Sequence, residues 1–171
     1  MKTPTITRKR ISRQRARPWP RAPSVARTLP TRHRERLLQP ESGIESGATA
    51  VQELAQILAS TRPETTPAVE HIITQVADRI ALAYDVASPH DASSALRTGC
   101  SSRLGRTRLA VALLRASQIP ARVVSGVVLD ETRKSQPHLW LEAFHDGRWH
   151  AYDPEYGDMD ELPASYVPMN S

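Results

Sequence analysis

A single cysteine, Cys100, among 171 residues excludes an intrachain disulfide and points to a reducing compartment. No apolar run approaches the roughly 18 residues of a membrane span, and no apolar segment follows the basic start as a secretory signal requires. These absences predict a cytoplasmic chain with no transmembrane segment. Acids are scarce in the first forty residues, where Glu35 stands alone against twelve Lys or Arg. The remainder reverses the sign, with eleven Lys or Arg against seventeen acids. The net charge of +5 therefore hides a basic arm joined to a mildly acidic domain.

Residues 1–46 hold six prolines, few large apolar side chains, and Arg at nearly every second or third place from Arg8 to Arg17. Such a segment cannot bury enough surface to offset its ordering entropy, which predicts a disordered basic arm. Its charge suits an acidic partner, nucleic acid or a membrane surface, with Trp19 able to stack. A solvated tail or an organelle transit peptide has the same composition. One domain then covers residues 47–171. Val51, Leu54, Ala55 and Leu58 recur at helical spacing between Ala48 and Ser60, and Arg62-Pro63-Glu64 breaks that helix. A second helix follows, with Thr66 as N-cap, Pro67 in its first turn, and a stripe of Val69, Ile72, Ile73, Val76, Ile80 and Tyr84. Residues 85–92 read as a loop and 92–97 as a short helical turn.

A central helix comes next, capped by Ser101 or Ser102, with a narrow face of Leu109, Ala112, Leu113 and Ala116. Gly105 in its first turns costs up to about 1 kcal/mol against alanine, which predicts that something approaches the backbone closely there. Pro120 ends the helix, and the β-branched run from Arg122 to Leu129 reads as a buried strand. After a charged loop, His138 to His145 alternates, Asp146-Gly147 turns the chain, and Arg148 to Asp153 returns. A two-residue turn sets Phe144 opposite Trp149 and Trp140 opposite Asp153. His138 and Asp153 then project from one face as diagonal neighbours, about 7–8 Å apart at the backbone and within side-chain reach. Pro154 stops the pairing, and the tail to Ser171 reads as coil with Leu162, Tyr166 and Val167 tucked against the body.

Three of these residues form a chemical set. Cys100 near a helix start is favoured as thiolate by the helix dipole. His138 would take its proton and Asp153 would fix the imidazole tautomer, a Cys-His-Asp triad. Trp140, Phe144 and Trp149 share the His138 face as core or cleft wall, and Glu142 there lines the cleft or pairs with an arginine. Arg115 and Arg122 read as structural ion pairs. His145 and His150 project from the opposite face to His138, and no Cys/His cluster has zinc spacing, so neither a metal nor another cofactor is expected.

The run from Ala112 to Gly126 (Ala-Leu-Leu-Arg-Ala-Ser-Gln-Ile-Pro-Ala-Arg-Val-Val-Ser-Gly), then His138-Leu-Trp-Leu-Glu142, Gly147-Arg-Trp149 and Asp153-Pro154, resembles the transglutaminase-like superfamily over residues 67–168. The resemblance implies an α+β, papain-like domain: a central nucleophile-bearing helix packed on an antiparallel sheet that carries His and Asp. Members include protein crosslinkers, peptidases, deamidases and other amide-acting thiol enzymes. In the family motif the cysteine lies twelve residues before the arginine that matches Arg115, and that position here is Arg103. Cys100 lies fifteen back, nearly one helical turn of about 5.4 Å too early. A three-residue insertion near residues 101–103 would restore it; the gapless reading puts Arg103 in the thiol position.

Ser102-Arg-Leu-Gly-Arg-Thr-Arg-Leu109, with Asp153-Pro-Glu-Tyr-Gly and Leu162-Pro163, is similar to the branch of inactive transglutaminase domains usually fused to seven membrane helices. That resemblance implies a catalytically degenerate domain that keeps the cleft, with His138 and Asp153 as a remnant dyad. Arg103, Trp140 and Glu142 would wall a cleft that takes a peptide or protein. The alternative is an active thiol enzyme on amide bonds, with Cys100 as nucleophile, His138 as base and Asp153 as orienter.

Overall fold

Asp146 and Gly147 adopt the left-handed backbone that a two-residue hairpin needs, with φ of 50° and 75°, and the sheet is organised from this turn. The computed structural model describes residues 28–85, 87–129, 135–155, 162 and 165–169. Strands β4 (Ser135–His145) and β5 (Arg148–Tyr152) pair antiparallel with Phe144 opposite Trp149, the expected register. Strand β3 (Ala121–Leu129) lies along the other edge of β4, setting Arg122 opposite Glu142 and Gly126 opposite His138. The tail, expected as coil, instead supplies a fourth strand, β6 (Tyr166–Pro168), and the order is β5-β4-β3-β6. The outer edge of β3 presents unpaired donors and acceptors. The tail satisfies them, with Leu129 N–H donating to Ser165 and Met169 N–H to Ser125.

Helix α5 (Arg103–Ala116) begins at Ser102, whose hydroxyl accepts the Gly105 N–H. The narrow apolar face predicted for it is an underestimate. Every residue from Leu109 to Arg115 is buried, because the sheet covers one side and three helices cover the rest. These are α2 (Thr49–Thr61), α3 (Ala68–Arg79) and α4 (Ala92–Thr98). The core joins Leu109 and Leu113 to Leu141, Ala143 and Tyr152, so one sheet face packs on the helix. The other face of β4 carries His138, Trp140 and Phe144.

Helix α3 buries Val69, Ile72, Ile73 and Val76 as expected, and Ile80 just beyond it. Its N-cap is Pro67 rather than Thr66, with no side-chain cap bond. Tyr84 does not continue the stripe: the chain leaves the helix after Arg79, and Tyr84 is 71% exposed. Strand β1 (Ala81–Leu82) pairs in parallel with β2 (Cys100–Ser101). Cys100 therefore sits on a two-residue strand ahead of the Ser102 cap. Gly99, at φ 68°, ends α4 just before it.

The segment just before residue 47, assigned by composition to the arm, contributes to the fold. Helix α1 (Thr31–Arg36) leads into Leu37 and Ile44, both buried. The buried Arg115 holds this stretch, donating to Gln39 O at 2.7 Å and pairing with Glu41 at 2.7 Å. Its Nε reaches Ala121 O at 3.0 Å, so one guanidinium ties three segments together. The arginines from Arg8 to Arg17, Trp19, and residues 130–134 of the charged loop lie outside the described residues. Among the described residues no helix is long and apolar enough to cross a membrane.

Candidate active site

His138 on β4 and Asp153 at the end of β5 meet, as the hairpin register requires. His138 Nε2 lies 2.6 Å from Asp153 Oδ2, and both residues are buried. A carboxylate only accepts, so Nε2 carries the proton and Nδ1 looks the other way. Tyr166 donates its hydroxyl to the same Asp153 oxygen at 2.7 Å, and Glu155 donates its backbone N–H to Oδ1 at 2.8 Å. Strand β6 thus completes the support of the dyad, with Tyr166 edge-on to both His138 and Trp140.

The side of His138 facing away from Asp153 meets Glu155. Glu155 Oε2 is 3.8 Å from His138 Nδ1, and among the described residues that buried oxygen has no hydrogen-bond partner. The other oxygen, Oε1, pairs with Arg103 Nε at 3.0 Å and receives the Tyr84 hydroxyl at 3.5 Å. Burial pushes the Glu155 carboxyl above its usual range; the Arg103 and His138 charges oppose this, and Asp153 adds to it. Arg103 is the first residue of α5, and its guanidinium lies 5.3 Å from the centre of the Tyr84 ring. One turn later the buried Arg106 donates to Ile80 O and, at 3.4 Å, to Pro154 O. Burial lowers its pKa while Glu155 and Tyr84 act against that.

Among the described residues no hydrogen bond links Cys100 to this group. Among the described residues its thiol has one polar partner, Thr98 Oγ1 at 3.7 Å. It lines an open groove of about 490 Å³ beside α4, together with Asp85, Asp91 and Arg97. His138, Asp153 and Glu155 are not among the residues of that groove. The close approach expected at Gly105 is real: a Cβ there would lie 2.4 Å from Pro89 O. The loop ahead of α4 rests on the start of α5, and Ser102 fastens it by donating to Pro89 O at 3.0 Å.

Of the expected cleft residues, Glu142 is ion-paired with Arg122 at 2.7 Å, and that guanidinium lies 4.8 Å from the Trp149 ring centre. Trp140 is 2% exposed and packs against Tyr166. Glu155, Tyr84 and the supporting role of Tyr166 were missed in the sequence. Glu155 had only the weak signal of its nearness to Asp153, since the chain turns at Pro154 and strand alternation does not extend to it. Tyr84 and Tyr166 had none, because each arrives from a distant segment.

A family model described as the transglutaminase-like superfamily matches residues 52–154. No curated protein matches the chain. A solved structure from Cytophaga hutchinsonii, whose own assignment as a cysteine protease is provisional, aligns with TM-score 0.66 and 20% identity, over 82% of this chain and 46% of that one. The periplasmic domain of TgpA from Pseudomonas aeruginosa aligns with TM-score 0.57 and 23% identity, over 75% of this chain and 49% of that one. The chain spans about half the length of these solved structures, and at such identities the likeness is one of fold.

Proposed function

This chain belongs to the transglutaminase-like superfamily, and we propose that within it the domain is a peptide- or protein-binding module whose thiol chemistry has been lost. The observation that carries this reading is the Arg103–Glu155 pair set against His138. A thiol acyl-transfer site needs its nucleophile on the imidazole nitrogen left over by the orienting carboxylate. Here that nitrogen faces a carboxylate 3.8 Å away, itself held by the arginine at the head of the central helix. Neither a guanidinium nor a salt-bridged carboxylate replaces a thiolate in acyl transfer. His138 and Asp153 then serve as a remnant dyad that shapes the cleft.

Arg103 and Tyr84 stand at the exposed mouth and offer cationic and aromatic contacts to a peptide. Trp140 backs the wall through Tyr166, and Glu142 extends the polar strip along β4. The Arg-rich residues near the N-terminus support an acidic partner, nucleic acid or a membrane surface, and the lone thiol supports a cytoplasmic location.

The rival reading takes Cys100 as nucleophile, and the intact His138–Asp153 dyad is what favours it. Iodoacetamide at neutral pH separates the two. The binding module alkylates at Cys100 no faster than an ordinary exposed thiol, at a rate unchanged in His138→Asn. Rapid labelling that disappears in His138→Asn, with amide turnover that disappears in Cys100→Ala, would overturn the proposal.

A further inference from the structure

Two histidines and an aspartate converge at the tip of the β4–β5 hairpin, on the sheet face opposite His138. His145 stands across from Arg148 and His150 across from Ala143, which makes the two histidines diagonal neighbours. Their rings stack with centroids 3.8 Å apart and planes 13° from parallel. Asp146, the first residue of the turn, brings its Oδ2 to 2.9 Å from His145 Nδ1. One donor atom from each of the three lies within 4.8 Å of the others. We propose that this tip binds a late first-row divalent ion such as Zn²⁺ or Ni²⁺, with His145, Asp146 and His150 as its protein ligands.

The donor set decides the class of ion. Two imidazoles and one carboxylate suit Zn²⁺, Ni²⁺ or Cu²⁺, whereas Mg²⁺ and Ca²⁺ ask for oxygen alone. Tyr152 supplies the outer contact that a ligating histidine ordinarily carries: its hydroxyl lies 2.7 Å from His145 Nε2, on the far side of the ring from Asp146. His145 Nδ1 is thereby the nitrogen presented to the ion.

The geometry needs only local adjustment. Donors at 2.0–2.1 Å around a tetrahedral ion lie roughly 3.3 Å from one another. Closing the trio from its present spread of up to 4.8 Å takes up to about 1.5 Å, by rotation of the exposed Asp146 side chain and a turn of one ring out of the stack. The buried His150 anchors the set, and the two left-handed turn residues fix the tip between the strands. Water completes the coordination. Spacing rules for zinc miss this site because its sequence is His145-Asp-Gly-Arg-Trp-His150, two histidines five residues apart rather than a paired Cys/His motif. Only the hairpin folds position 150 back beside position 145.

Calorimetric titration of the full chain, freed of any affinity tag, with Zn²⁺ and with Ni²⁺ tests the site. The expected result is one ion per chain, weakened by roughly tenfold or more in His145→Gln and in Asp146→Asn, both at the solvent-facing tip. The melting temperature rises with Zn²⁺ in the parent chain and not in either variant, while His90→Ala binds as the parent does. Absence of saturable binding, or binding equally tight in both tip variants, would overturn the proposal.

Discussion

Replacing Gly105 with alanine puts a methyl group 2.4 Å from Pro89 O and 2.9 Å from Ser101 Cβ. In an open helix the same change would be favourable by about 1 kcal/mol. Here the carbonyl must retreat by the better part of an ångström. It cannot do so freely, because it accepts both the Ser102 N–H and the Ser102 hydroxyl, each at 3.0 Å. Overpacking of this kind costs about 1–3 kcal/mol, and weakening one of those bonds costs about 1 kcal/mol more. With the helix gain set against these, the net expectation is a loss of about 2 kcal/mol. For a chain of this size that lowers the melting temperature by roughly 4–8 °C. Gly47→Ala is the control, since a Cβ there meets only Pro40 Cγ at 3.9 Å and its melt should barely move. Thermal and urea denaturation measure both. A Gly105→Ala protein as stable as the parent, or more so, would refute the close-approach argument and leave helix propensity in command.

Burial raises the Glu155 carboxyl, so the folded state holds that proton more tightly than the unfolded chain does. That contribution to stability is complete below the ordinary carboxylate range and is lost as pH rises through the folded value. Glu155→Gln should therefore gain in melting temperature relative to the parent as pH is raised from about 4 toward neutrality; a difference that stays constant with pH would contradict the assignment. Arg115→Leu leaves the Gln39 and Ala121 carbonyls without their donor and should cost roughly 3 kcal/mol in urea unfolding. The same variant should open residues 37–46 to limited proteolysis, and unchanged protection there would show that Arg115 does not hold the segment.

The hairpin was legible in full. Asp146-Gly147 admits a two-residue turn, that turn admits one register, and the register brings His138 to Asp153. Helix α3 and strand β3 were equally readable, since periodicity reports the environment of a continuous segment. The face of α5 was not, because a helix enclosed on every side has no polar stripe to set its phase. The reach of the fold into residues 31–46 was hidden too. What holds it are long-range ties, among them the buried Arg115 and the burial of Leu37 and Ile44, and composition cannot register such contacts.

Local chemistry, then, determined the elements, their order, the hairpin register and the spacing that puts Arg103 rather than Cys100 twelve residues before Arg115. Tertiary packing decided what stands beside the dyad. Glu155, Arg103, Tyr84 and Tyr166 come from four separate segments, and their meeting depends on how β6 closes the sheet and how α5 enters behind β1. Packing likewise left Cys100 on β2, bonded to Thr98. The division follows from range: side-chain patterns encode contacts between near neighbours, whereas a site assembled across loops exists only once the core has set the distances between its parts.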